Sequence, residues 1–133
     1  MAVVLDAYAL VAYFREEPAA DAVQRVLWEE RTHLSAVQAA EVIDRMSRVY
    51  GADPDELEVI ITALGITVEP LDAALAVRAG RLRARYHRPT GRTLSLADSC
   101  CVALALELGM PVLTADPVLL EVLRTAGGVG RPV

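Results

Sequence analysis

The feature that most constrains this sequence is the alternation of short apolar stretches with longer helical segments. The stretches have the length and β-branched character of buried strands, and they are Val3–Leu5, Thr32–Leu34, Ile66–Val68 and Met110–Leu113. A weaker strand candidate runs to Val133. Strands that alternate with helices predict a parallel sheet covered on both faces. We therefore expect an α/β fold with three layers, α/β/α, and a short central parallel sheet.

Capping residues mark the ends of the predicted helices. Ser35 with Gln38 has the spacing of a capping box, Ser95 with Asp98 is a weaker example, and Asp116 stands before Pro117 as an N-cap. The predicted helices are Ala7–Arg15, Ala19–Glu30, Ser35–Tyr50, Asp53–Gly65, Leu71–Tyr86, Ser95–Leu108 and Asp116 to about Gly127. Ligands of open parallel sheets bind outside the carboxyl ends of the strands, so polar residues that follow strands are the candidate site.

Length and composition predict one soluble domain over residues 1–133. The chain has 133 residues, 54% of them hydrophobic, and a net charge of −5. A chain of this size buries enough apolar surface to fold without a disulfide or a structural metal. The longest apolar run, Ala7–Phe14, is too short for a membrane helix, and the N-terminus does not have the pattern of a signal peptide. We expect a cytoplasmic protein with no membrane partner.

The choice of basic and sulfur-containing residues excludes several chemistries. All 13 basic residues are arginine, and without lysine the chain cannot perform Walker-type nucleotide binding or Schiff-base catalysis. Cys100 and Cys101 are neighbours, which predicts buried reduced thiols rather than a metal site. The chain has only two histidines, His33 and His87, which are too few ligands to favour a histidine-based zinc site. Carboxylates and arginines remain as the chemical groups.

The positive charge is concentrated in one window. Ala73–Ala97 contains six arginines and no acidic residue, so the overall acidity conceals a basic strip of the kind that attracts phosphate backbones. On a helical wheel Arg81, Arg85 and Arg88 form one stripe together with Arg78. We predict that Arg81, Arg85 and Arg88 bind RNA, and the alternative is an ordinary solvated helix face.

Four carboxylates occupy the expected positions, and each also has a purely structural interpretation. Asp6 follows the first strand, where a carboxylate usually serves a turn, and Asp116 follows the fourth, where it caps a helix. Glu41 stands four residues before Arg45, the spacing of a surface ion pair. Asp98 completes a capping motif, but its helix is apolar almost all round. A partly buried Asp98 therefore needs a proton or a cation.

Either arginine or a divalent metal shared with Asp6 and Asp116 satisfies that need. Clustered carboxylates without histidine or thiolate select hard cations, Mg²⁺ or Mn²⁺. The chemistry that such a cluster favours is phosphodiester hydrolysis by metal-activated water.

The ordered motifs around these acids resemble the PIN-domain nucleases, and most closely the VapC-type ribonuclease toxins of bacterial toxin–antitoxin pairs. The motifs are Val3–Ala7, Leu34–Val37 leading to Glu41–Val42, Leu94–Asp98 and Val112–Asp116, and the likeness spans the whole chain. The resemblance implies that Asp6, Glu41, Asp98 and Asp116 are the acidic catalytic set, that Asp6 and Asp98 bind the metal directly, and that Thr114 is the hydroxyl near it. It also implies an RNA substrate, a cognate antitoxin protein and a homodimer.

The chain departs from the family pattern at two places. Tyr8 stands where the family usually has a small residue, and Pro117–Leu119 stands where many relatives carry an aromatic residue. Neither departure removes a carboxylate. Two other functions are open alternatives. A haloacid-dehalogenase-like phosphatase needs a second Asp at position 8 and a lysine. A PIN-like module that binds RNA or protein without nuclease activity would be expected to lack one of the four acids.

Overall fold

The five strands form one parallel sheet with helices on both faces. The computed structural model describes all 133 residues, and the strands are β1 (Ala2–Leu5), β2 (Arg31–Ser35), β3 (Thr67–Glu69), β4 (Val112–Thr114) and β5 (Gly130–Pro132). Their order across the sheet is β3-β2-β1-β4-β5, and every neighbouring pair is parallel. The predicted α/β architecture with a short central parallel sheet is confirmed. The single domain over residues 1–133 stays a prediction.

Seven helices cover the sheet. They are α1 (Ala7–Phe14), α2 (Ala20–Glu29), α3 (Ala36–Tyr50), α4 (Pro54–Ala63), α5 (Ala73–Tyr86), α6 (Leu96–Leu108) and α7 (Pro117–Thr125). Each predicted helix is present, with ends that differ by one to a few residues. No helix of the chain has both the length and the apolar character that crossing a membrane requires.

Two hydrophobic cores lie on opposite faces of the sheet, and β1 contributes to both. Successive side chains of a strand point to opposite faces, so Val3 and Leu5 pack into one core with α1, α2 and α4, and Val4 packs into the other with α5, α6 and α7. All three side chains are fully buried. This arrangement explains why the first strand is apolar without alternation.

Local signals decide where the helices end. Gly51 and Gly109 end α3 and α6 in the left-handed conformation, at φ 74° and φ 65°, which glycine adopts without strain. The predicted start of α5 at Leu71 is wrong because Asp72 accepts a hydrogen bond from the Leu75 N–H at 2.8 Å and so caps a helix that begins at Ala73.

Candidate active site

The carboxyl ends of β1 and β4 bring the first and last candidate acids to the same edge of the sheet. Asp6 follows β1 directly, and Asp116 follows β4 after one intervening residue. The two strands are parallel neighbours, and the Asp6 N–H donates to the Leu113 carbonyl at 3.3 Å. The pair therefore lies where ligands of open parallel sheets bind.

Asp6 is a buried carboxylate held by two hydrogen bonds. It is 2% exposed, and its Oδ1 accepts from the Ala9 N–H at 2.7 Å, which makes it the N-cap of α1. Its Oδ2 accepts from the Thr114 hydroxyl. Burial raises the pKa of Asp6 to about 6; the two hydrogen bonds oppose that rise, and the charges of Asp98 and Asp116 add to it. Asp6 is thus close enough to both acids to experience their charge.

Thr114 connects Asp6 to Asp116. The Thr114 side chain is fully buried, donates to Asp6 and accepts from the Asp116 N–H at 3.0 Å. Asp116 itself caps α7, because its Oδ1 accepts from the Val118 N–H at 2.8 Å. The capping interpretation of Asp116 is confirmed, and its other carboxylate oxygen makes no hydrogen bond within the protein. The hydroxyl therefore fixes the relative position of two acids.

Asp98 reaches the same edge from α6, and Gln38 holds it there. The Ser95 hydroxyl caps α6 by accepting from the Asp98 N–H at 3.0 Å, while Asp98 Oδ1 accepts from Gln38 Nε2 at 3.1 Å. Burial raises the pKa of Asp98, and so does the charge of Asp116; hydrogen bonding to Ser95 and Gln38 lowers it. Asp98 is half-buried, as its place on an apolar helix predicts.

Sequence reasoning missed the role of Gln38. The Ser35 hydroxyl accepts from the Gln38 N–H at 3.2 Å, which is one half of the predicted capping box. The other half is wrong, because the Gln38 side chain turns away from Ser35 to Asp98. Gln38 is fully buried, and its Oε1 has no hydrogen-bond partner. A buried polar side chain at a position that a capping motif already explains gives no separate signal in the sequence.

Glu41 approaches the cluster from α3. Loss of solvent around its carboxyl group raises the pKa of Glu41, the charges of Asp98 and Asp6 raise it further, and Arg45 lowers it. The predicted alternative, an ion pair between Glu41 and Arg45, is absent, because no nitrogen of Arg45 lies within 4.0 Å of a carboxylate. Arg45 instead lies over the ring of Tyr8, with its Cζ 5.2 Å from the ring centroid.

The four acids form a region of negative charge with no basic partner. None of them takes part in any of the five ion pairs of the chain. Their donor atoms are all carboxylate oxygens, with Thr114 as the neighbouring hydroxyl, which is the set that hard divalent cations prefer. The carboxylates are not arranged as a complete coordination sphere, since no three Asp, Glu, His or Cys side chains are positioned to hold one ion. The donor chemistry fits a metal, and the ligand assignment stays a prediction.

The arginine strip divides into structural and free members. Arg83 donates to the Leu94 carbonyl at 2.8 Å, Arg92 to the Tyr86 carbonyl at 2.8 Å, and Arg88 to the carbonyls of Arg85 and His87 at 3.1 and 2.8 Å. The free members line a groove of about 280 Å³, whose lining is Arg78, Arg81, Leu82, Arg85, Tyr86, Leu106 and Ala126.

This groove is separated from the acids. α6 contributes Asp98 near its start and Leu106 near its end, and a rise of about 1.5 Å per residue puts them about 12 Å apart along the helix axis. The arginines predicted to bind RNA are therefore not part of the carboxylate cluster. Their binding of RNA stays a prediction.

Several solved structures share this fold at low sequence identity. VapC20 of Mycobacterium tuberculosis, described as a toxin that cleaves the sarcin–ricin loop, has a TM-score of 0.75 at 17% identity, over 96% of each chain. DNA-bound VapBC of Salmonella typhimurium has a TM-score of 0.71 at 16% identity, over 99% of this chain and 98% of that one. FitAcB of Neisseria gonorrhoeae has a TM-score of 0.67 at 20% identity, over 98% and 96%.

The sequence itself matches a family model. No curated protein sequence is significantly similar to the chain. The model of the PIN domain matches residues 3–124, a stretch that includes all four acids and Thr114. The chain belongs to the PIN domain family, the nuclease family that its four acidic motifs resemble.

Proposed function

We propose that this protein is a metal-dependent ribonuclease that hydrolyses RNA phosphodiester bonds and acts as the toxin of a toxin–antitoxin pair. One observation carries the proposal: the buried Asp6 is joined through Thr114 to Asp116 and lies close enough to Asp98 to be affected by its charge, and none of the three acids has an ion pair. Such a cluster attracts a cation from outside the chain. Family membership and the toxin structures with the same fold support the choice of nuclease chemistry.

Asp6, Asp98 and Asp116 would hold Mg²⁺ or Mn²⁺, with Glu41 beside them. A bound divalent cation supplies an activated water and stabilises negative charge on the phosphate oxygens. The protein's own contribution is orientation: Thr114 holds the carboxylate of Asp6, and Gln38 holds that of Asp98. The raised pKa of Asp6, about 6, predicts that metal binding weakens below that pH, because the protonated carboxyl is a poor ligand.

The RNA backbone would be bound away from the acids by Arg81, Arg85 and Arg88. Arg81 and Arg85 are exposed and have no ion pair, so they are free to neutralise phosphates. Arg88 is exposed as well, but its guanidinium already donates to two backbone carbonyls. We expect Arg88 to contribute least of the three.

The proposed partners are a cognate antitoxin and a second copy of the chain. Structures that share this fold include a toxin–antitoxin complex, which supports an antitoxin. The antitoxin would inhibit by placing a cationic side chain or a helix at the unpaired acids. Exposed apolar side chains on α3 and α4, namely Val49, Val59 and Ile60, offer a surface for pairing. Light scattering at micromolar concentration tests the homodimer, and a monomer would contradict it.

The function is tested by RNA cleavage with added Mg²⁺ or Mn²⁺, compared with the same reaction in a chelator. We expect cleavage only with metal, and none from the Asp98→Asn variant. Glu30→Gln is the matched control, because Glu30 is paired with Arg131 at 2.8 Å and precedes β2, at the opposite edge of the sheet from the four acids. Cleavage by Asp98→Asn at the rate of the unmodified protein would overturn the site assignment.

An RNA- or protein-binding module without nuclease activity is the second candidate. The absence of a finished coordination group of three or more acids favours it. Calorimetric titration with Mn²⁺ separates the two, because a binding module would show no metal site that depends on Asp6 and Asp98.

A further inference from the structure

We propose that Tyr8 and Arg45 form a subsite for one nucleotide next to the scissile phosphate, with the base stacked on the Tyr8 ring and the backbone held by the Arg45 guanidinium. This inference rests on the proposed ribonuclease function and names the part of the protein that receives the substrate. A base-stacking platform beside a free guanidinium is a common arrangement for single-stranded nucleic acids.

The subsite is a groove between α1 and α3. It has a volume of about 160 Å³, and its lining residues are Ala7, Tyr8, Val11, Glu41, Asp44, Arg45 and Arg48. That volume is below the roughly 300 Å³ at which pockets begin to enclose a drug-sized ligand. It suits one planar group that lies along an open groove. Because Glu41 belongs to both the groove and the acidic cluster, a ligand here is adjacent to the reacting centre.

Tyr8 is an exposed aromatic ring where burial would be expected. It is the second residue of α1, two positions after Asp6, yet its side chain is 58% exposed. The next positions of the helix, Ala9, Leu10 and Val11, are buried. An exposed ring is not stabilised by burial in the core. Beside a carboxylate cluster it presents a flat apolar surface on which a base can stack.

Arg45 carries the charge that a phosphate needs. It makes no ion pair, and its Nε is buried without a hydrogen-bond partner. The two terminal nitrogens of the guanidinium also have no partner in the protein but are accessible to solvent, so an oxygen of the ligand can accept hydrogen bonds from them. Arg48 lines the same groove but is already paired with Asp44 at 3.1 Å. Arg45 is therefore the free cation of the groove.

A nucleic acid fits this combination better than a protein segment does. The guanidinium lies over one face of the exposed Tyr8 ring, so a base on the other face and its phosphate at the guanidinium find two different contacts within one nucleotide's reach. The guanidinium also offsets the repulsion between a phosphate and Glu41, whose charge it already influences. A cationic segment that neutralised the acids would meet Arg45 as a like charge.

The same two helices supply a matched control. Arg15 at the end of α1 lies over Tyr50 at the end of α3, with its Cζ 4.0 Å from the ring centroid. Tyr50 is nine residues beyond Glu41, about 13 Å along the helix axis. This second tyrosine–arginine pair lies away from the acids, and its arginine differs from Arg45 in being ion-paired with Glu17 at 3.1 Å.

The test measures equilibrium binding of a short single-stranded RNA to the cleavage-deficient Asp98→Asn protein. Adding Tyr8→Ala should weaken binding about 5- to 140-fold, the range for loss of one base stack, and Tyr8→Phe should restore it. Arg45→Gln should flatten the dependence of log K on log salt by about 0.7, the value for one phosphate on a single strand. Tyr50→Ala and Arg15→Gln should leave both quantities unchanged.

A series of RNAs, each lacking the base at one position, sharpens the assignment. At one position of the RNA the base stacks on Tyr8. When that base is removed, the proteins with and without the Tyr8→Ala substitution should bind with equal affinity, as in a double-mutant cycle. Unchanged binding by Tyr8→Ala, or an equal loss with Tyr50→Ala, would overturn the subsite while cleavage by the unmodified protein continues. A loss confined to binding of a co-expressed antitoxin would assign the groove to protein instead. Absence of both RNA binding and cleavage would overturn the proposed function as well.

Discussion

The acids at the edge of the sheet and the ion-paired acids elsewhere in the chain have opposite surroundings. Elsewhere in the chain, Asp44 is paired with Arg48 and the partly buried Glu30 with Arg131, and these arginines lower the pKa of both carboxyl groups. At the edge of the sheet, Asp6, Glu41 and Asp98 have raised pKa values and no ion pair. Because the chain has 13 arginines, this difference is not caused by a shortage of cations. The acids at the edge of the sheet are therefore available to bind a cation that the chain does not supply.

The largest expected effect is the loss of cleavage when one of the unpaired acids is neutralised. Asp6→Asn should reduce the rate of RNA cleavage at saturating metal by about 10²-fold to 10³-fold or more, because a carboxylate that supports the metal is lost. Cleavage assays with Mn²⁺ measure this, with Glu30→Gln as the paired-acid control. An equal loss in both variants would remove the distinction between the two groups of acids.

A smaller loss is expected when Asp98 keeps its charge but loses its support. Gln38→Leu should lower metal affinity or cleavage about 10- to 100-fold, the usual effect of removing a partner of a metal ligand. The Tm should not fall to match, because the substitution also removes the unpartnered buried Oε1. Gln24→Leu, on α2, is the control. If Gln38→Leu lowers the Tm and leaves metal affinity intact, Gln38 is structural.

Neutralising Asp6 should stabilise the metal-free protein. Its folded pKa, about 6, lies above the ordinary value of 3.8, so between these values the folded state binds more protons than the unfolded state. The contribution of Asp6 to the free energy of unfolding is therefore fully present below about pH 4 and is lost as the pH rises through 6. At pH 7, Asp6→Asn should raise the free energy of unfolding by about 1–3 kcal/mol, measured by urea unfolding in a chelator. A decrease would show that the ionised form is tolerated.

The smallest effect concerns the paired acid Glu30, where the pH dependence is reversed. Arg131 donates two hydrogen bonds to Glu30, at 2.8 and 2.9 Å, and lowers its pKa. Stability from this pair is present above the ordinary pKa of Glu30 and is lost as the pH falls through the lowered value. Arg131→Gln should cost about 1 kcal/mol at pH 7. The difference in stability between Arg131→Gln and the unmodified protein should vanish in acid. Thermal unfolding at acidic pH measures this, and a remaining difference in Tm would contradict the prediction.

The sequence predicted the fold well because the relevant signals are local. Apolar runs, Asp-Pro pairs and the glycines at positions 51 and 109 each mark an element boundary without reference to the rest of the chain. The positions of the candidate acids followed from the same strand ends. What the sequence did not predict depends on contacts between distant elements. The bond from Gln38 to Asp98 spans 60 positions, and the stacking of Arg45 on Tyr8 joins two helices. The spacing of Glu41 and Arg45 even favoured a local pair that does not form.

The placement of β5 has a consequence for when the site is complete. β5 pairs with β4 in the register Thr114↔Pro132, and the Val133 N–H donates to the Thr114 carbonyl at 3.2 Å. The strand that carries Thr114 thus has β1 on one side and β5 on the other. During synthesis, β4 has an open edge until β5 has left the ribosome. The backbone of Thr114, whose hydroxyl donates to Asp6, is therefore paired along both edges of β4 only after residues 130–133 have been synthesised.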